Sequence, residues 1–298
     1  MARTSGAKNV KAFEKRREVA TTSSEEIRHL AKAIGATPLL EFQGLLDHQA
    51  SYLKWLDARH SELQKAKKQL DSENRGPKDA TYKKYRWYAE QQTLFETINA
   101  FEVFYKRTFI NLAQALRSYI PADCIKGSID AKVLWSMRGR ATVPALIFEH
   151  QLFHDLENID KTTNMLVEGR RYNIGNPSKN MREKVRALQS IFQIRHTLAH
   201  NQGLITVSDS SKFGFHGYTA TSHAIIDPTK DYLGESVRRF LRQEAGEYTQ
   251  WLLDATAKYL KKVCAEDGVV LKNPTLARIE KSLGSSAALS ALPWTVDA

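Results

Sequence analysis

Three side chains in one short run are able to work on a phosphodiester: Arg195, His196 and His200, set in Ile191-Phe-Gln-Ile-Arg-His-Thr-Leu-Ala-His-Asn-Gln-Gly203. A guanidinium keeps its charge in proteins and offers paired donors that match phosphate oxygens. An imidazole titrates near pH ~6.5, so it serves as base or acid at neutral pH. Both residue types recur widely in purely structural settings, so their spacing and setting carry the reading.

That setting is a helix. At about 100° per residue, Val185, Leu188, Ile191, Phe192, Ile194, Leu198 and Ala199 fall in one arc, and Arg195 falls near its middle. An arginine centred in an apolar stripe needs a carboxylate, a subunit interface or a bound anion. His196 and His200, four residues apart, share the flank beside the arc. The helix is expected from about Met181 to Asn201, with Gly203 as its stop. A carboxylate in a second apolar stripe poses the matching problem. From Thr81 to about Tyr119 the pattern predicts one very long helix closed by Pro121. On it Glu102 shares a face with Phe95, Ile98, Tyr105, Phe109, Leu112 and Leu116. The economical solution is that Glu102 faces the Arg195 helix, pairing Arg195 or orienting one histidine.

An arginine, a polar residue after it, and a histidine four positions beyond that polar residue, at the end of an amphipathic helix, resemble the signature of the HEPN superfamily. Here the residues are Arg195, His196 and His200; the commonest residue after the arginine is Asn, where this chain has His. The resemblance covers roughly Thr81 to Val263. It implies an all-α fold, an antiparallel up-and-down helical bundle. It also implies a homodimer joined through the motif helices and a metal-independent endoribonuclease needing no cofactor. In that chemistry a 2′-hydroxyl attacks the adjacent phosphate, leaving 2′,3′-cyclic phosphate and 5′-hydroxyl ends. His200 matches the catalytic position, Arg195 would hold the phosphate, and His196 would position RNA or the partner helix. Asn201, Arg170 and Arg171 are the expected substrate contacts. Members of this kind often act as toxins or antiphage effectors, which leaves room for an antitoxin or regulatory protein as a further partner. The rival reading is a non-catalytic RNA-binding or scaffold protein in which Arg195 and His200 brace a dimer. A third, weaker one is a metal protein using His150 and His154, which have the spacing of two ligands on a helix.

The composition suits a polyanion partner. The 298 residues carry a formal net charge of +11, which favours RNA over a membrane surface since no lipidation motif is evident. No apolar run is long enough to cross a bilayer, and the basic start does not resemble a secretory signal. Two cysteines exclude a disulfide scaffold, and a reducing cytoplasm is the expected compartment.

In chain order the sequence predicts a flexible basic arm (1–22) and a helical segment (23–78) with a capping box at Ser23 and Glu26. The HEPN-like domain follows (79–263), then a tail without periodicity (264–298). Within the domain, Ala122–Met137 reads as a short helix with Val133, Leu134, Trp135 and Met137 as anchors. Arg138 to Pro144 is a linker, and a helix is expected from Pro144 to about Ile159. Lys161–Asn180 is an irregular connection. Alternation through Leu204–Val207, Phe213, Phe215, Tyr218 and Ile225 predicts a small β-hairpin insertion after the motif helix. A last amphipathic helix is expected over about Lys230–Val263.

Overall fold

The computed structural model describes residues 37–69, 78–129, 132, 142–149 and 151–295. Within them the helices are Pro38–Gln69 (α1), Asp79–Ala115 (α2), Val143–Glu149 (α3), Leu156–Val167 (α4), Lys179–Asn201 (α5), Val207–Phe215 (α6), Leu233–Asp267 (α7), Asn273–Leu283 (α8) and Ala287–Ser290 (α9). The only sheet among the described residues is one short parallel pair, Leu271–Lys272 (β1) against Trp294–Thr295 (β2). The described chain is therefore all-α apart from that pair, and none of its helices is long and apolar enough to cross a membrane.

The long helix α2 is the axis. It packs against α1, α3, α4, α5, α7 and α8. Its sequence explains why: Leu94, Ile98, Phe101, Tyr105, Phe109 and Leu112 bury one face, and Thr97, Phe104 and Thr108 bury a second. Phe42 and Leu46 of α1 join the same core, with Phe42 tilted against Phe101 and Phe104. Tyr248 of α7 meets Phe104, Tyr105 and Phe109 edge-on.

Four expectations are corrected. The helix from Pro144 does not run on to Ile159. It stops at Glu149, and α4 starts afresh because extended Asp155 caps it, accepting the Glu157 N–H at 2.9 Å. The irregular connection is consequently shorter, since α4 continues to Val167. The β-hairpin is replaced by α6, with a single bridge, Leu204 to Ile225, left of it. The reason is local: Thr206 and Asp209 form a capping box, each side chain taking the other's backbone N–H. Finally, the described part of the tail, up to Thr295, is folded, and Leu271, Ile279, Leu283 and Leu289 are buried in the core. The basic arm, the helix at Ser23, the anchors Val133 to Met137, the arginines Arg138 and Arg140, and His150 lie outside the described residues.

The start of α7 shows how closely α2 is approached. Buried Glu90 holds Arg86 and Arg238 at 2.6 Å each, and Gly234 lies directly against its carboxylate. A methyl on Gly234 would collide with Glu90, whereas Gly246 on the same helix has open space around it. Gly234→Ala is expected to cost about 2 kcal/mol, lowering the melting temperature by roughly 5 °C. Gly246→Ala should leave it unchanged or raise it. Equal melting temperatures for the two variants in a thermal scan would contradict this packing.

Candidate functional site

Helix α5 carries the motif, and its end is built as the glycine suggested. Gln202 (φ 52°) and Gly203 (φ 86°) turn left-handed, and the Gly203 N–H reaches back to the Thr197 carbonyl at 3.1 Å. The Gln91 amide of α2 lies against Gly203, while Arg195 meets Asn99, so α5 runs antiparallel to α2.

Arg195 stands where its position in the arc requires, over α2. Its Nε–H donates to Asn99 Oδ1 at 3.0 Å, and Glu102 Oε1 lies 3.2 Å from the same nitrogen as an ionic contact. The side chains are 24% and 14% exposed, so the charges meet in a half-dry setting. Among the described residues no hydrogen bond engages the terminal amino groups of the guanidinium, the groups that would grip an anion. The other Glu102 oxygen lies 3.5 Å from His154 Nδ1. Glu102 Oε1 and His154 Nδ1 are both buried without a hydrogen-bond partner among the described residues. One carboxylate thus sits between the motif arginine and a histidine from the α3–α4 connection.

His196 and His200 lie on the exposed flank of α5, ring centroids 4.6 Å apart. Partial burial, then the nearby His200 and Lys212, hold the His196 pKa below its ordinary value, while Asp209 pulls the other way. His196 therefore favours the neutral imidazole more than a free histidine does. Five residues separate Arg195 from His200, about 7.5 Å along the axis and about 140° around it. Arg195 consequently faces α2 while His200 faces outward.

The remaining expected contacts divide. Asn201 is beside the histidines, but its amide donates to Asp209 Oδ2 at 3.2 Å. Buried Asp209 also accepts from Gln193 at 2.8 Å and from the Thr206 N–H at 3.0 Å. Burial raises its pKa, but the Thr206 and Asn201 hydrogen bonds outweigh that and leave it below the usual aspartate value. Arg171 is not at the site. Its side chain is 8% exposed and is bound by Glu244 at 2.9 Å and Glu247 at 3.2 Å, near the opposite end of α5, where Lys184 joins the same carboxylates. From Lys184 to Arg195 is about 16 Å along the helix. Exposed Arg170 rims a cleft of about 1080 Å³ with Lys126, Lys161, Tyr259 and Lys262, which none of Arg195, His196 or His200 lines.

The sequence reading missed Asn99, His154 and Asp209. Asn99 lies one turn before Glu102 on its face, and the Thr206-x-x-Asp209 spacing carried the capping box. From sequence, His154 enters only as a metal ligand paired with His150. Among the described residues no group of three or more His, Cys, Asp or Glu side chains could hold a metal ion. Comparison with protein-family models, with curated proteins and with solved structures returns no match to this chain.

Two measurements check this geometry. In histidine Cε1–H titrations by NMR, His196 should have its midpoint below 6.5, and His200→Ala should move it upward. Because the folded pKa is lowered, the associated stability is complete above pH ~6.5 and is lost as pH falls through the folded value. A wild-type midpoint at or above 6.5 contradicts the reading. Arg171→Ala, which leaves buried Glu244 short of its main partner, should lower unfolding free energy by about 3 kcal/mol in urea titrations. An unchanged urea midpoint would instead return Arg171 to the surface.

Proposed function

We propose that this chain is a metal-independent endoribonuclease of HEPN type, cleaving RNA by attack of the 2′-hydroxyl on the adjacent phosphate. The observation that carries the reading is the arrangement of the motif. Arg195 is braced from behind by Asn99 and Glu102 with no hydrogen bond to its terminal amino groups among the described residues, and two exposed histidines follow on the same helix. Arg195 holds the nonbridging oxygens and offsets charge building on the phosphorane-like transition state. His200 transfers the proton, and His196 positions the RNA or the partner helix. Because Arg195 and His200 of one chain point about 140° apart, the arginine of one chain and the histidine of a second form the more natural pair. This favours a homodimer through α5. A toxin or antiphage role, with a regulatory partner, is consistent with such an activity.

The non-catalytic alternative keeps one observation in its favour. The Asn99 and Glu102 contacts alone also suit an arginine that merely braces an interface. Incubation of a labelled mixed-sequence RNA in excess EDTA separates the two. The nuclease reading expects cyclic-phosphate fragments from the wild type, and a loss of at least about 100-fold in rate for His200→Ala and for Arg195→Ala with fold retained. RNA binding without fragments from any of the three proteins would favour the binding or scaffold reading.

A further inference from the structure

The first turns of α2 read Thr81-Tyr-Lys-Lys-Tyr-Arg-Trp-Tyr88, a run in which aromatic and basic residues are interleaved. Half of it is structural. Tyr82 stacks on His60, with ring centroids 3.8 Å apart, and Arg86 pairs with Asp57 and Glu90. The Trp87 indole is near enough to Asp227, in the connection that leads to α7, to help hold its pKa below the usual aspartate value. The other half has no such role in the packing. Lys83 and Lys84 are exposed, and Tyr85 and Tyr88 are 63% and 55% exposed, a large aromatic area to leave in water.

Their direction is set by the helix. Lys84, Tyr88, Gln91, Phe95, Asn99 and Glu102 follow one another at spacings of three and four residues, so they form one stripe. The far end of that stripe contacts Arg195, and its middle, at Gln91, lies against Gly203. Since α5 ends at that level, Lys84 and Tyr88 extend past it, and Tyr85, three residues before Tyr88, flanks the stripe while Lys83 lies on the other side of the helix. Tyr88 is three residues, about 4.5 Å along α2, from the level of Gly203, and His200 is the same distance back along α5.

Resting on the endoribonuclease reading, we propose that Tyr85 and Tyr88, with Lys84, are a stacking platform for single-stranded RNA that delivers the strand to the end of the motif helix. Exposed rings offer every unpaired base a π-face, and a lysine beside them attracts the backbone, a combination that binds single strands without reading sequence. A duplex has its bases closed and gives such rings nothing to stack on. The formal net charge of +11 adds the general attraction.

The test uses the full chain and a fluorescein-labelled 12-nucleotide 2′-O-methyl RNA, which lacks the attacking hydroxyl, with fluorescence anisotropy as readout. A blunt duplex of the same sequence is the comparison. The wild type should bind the single strand more tightly than the duplex. Tyr85→Ala/Tyr88→Ala should weaken single-strand binding by about 10-fold or more and leave duplex binding unchanged. Tyr85→Phe/Tyr88→Phe, which keeps the rings, should stay within about two-fold of wild type. Single-strand affinity unaltered in the alanine pair overturns the proposal, as does a preference for the duplex. A change in oligomeric state by light scattering without a change in RNA affinity also overturns it and assigns the surface to a protein. The cleavage reading is judged separately. Cyclic-phosphate products from the wild type alongside unchanged binding by the alanine pair would sink the platform alone, whereas altered binding without any cleavage would sink the nuclease alone.

Discussion

Polar groups on a helix packed on most of its sides are costly to leave unmatched, and that constraint on α2 organises the molecule. Several polar side chains turned inward from it draw partners from elsewhere in the chain, although the buried Thr108 hydroxyl has none among the described residues. Glu90 takes Arg238 from α7, Thr97 donates to Gln49 of α1 at 2.6 Å, and Glu102 takes Arg195 from α5. The Tyr105 hydroxyl meets that of Tyr172 in the loop before α5 at 2.5 Å. The helices are thus fixed both by apolar area and by pairings that only one register satisfies.

The Tyr105 contact opens onto a buried polar cluster. Tyr172 passes its hydroxyl hydrogen to Glu244 at 2.9 Å, and Glu244, 1% exposed, gathers Arg171 and Lys184 as well. Asp160 accepts three successive backbone N–H groups, from Arg171, Tyr172 and Asn173, which clasps the loop onto α4. Burial raises the pKa of Tyr105 and Tyr172 well above the usual range, so both phenols remain hydrogen-bond donors at any physiological pH. This cluster anchors the beginning of α5, while Asn99 and Glu102 anchor its last turns. The motif helix is held at both ends by polar contacts and along its length by Val185, Leu188, Ile191 and Phe192.

What was legible in the sequence followed from periodicity and from charges in the wrong place. The long apolar stripes located α2, α5 and α7, and the misplaced Glu102 and Arg195 pointed to each other because neither could be buried alone. Short elements were harder. Phe213, Phe215 and Tyr218 alternate as a strand would, yet the cap at Thr206 and Asp209 decides the segment in favour of a helix. Arg171 was misread because sequence proximity to a helix says nothing about which of its ends carries the motif. Its carboxylates come from α7, more than seventy residues later. His154 escaped for the same reason: its meeting with Glu102 depends on where the break between α3 and α4 swings the chain.

Asp209 binds the last turn of α5 and the first turn of α6 with one carboxylate. The two cannot fray independently, because losing either set of hydrogen bonds strands a buried charge on the other. In the terms of native-state opening they are a single cooperative unit, closed or open together. The turn of α5 that carries His200 is thus tied, through Asn201, to a carboxylate nine positions downstream of the histidine, on a different helix.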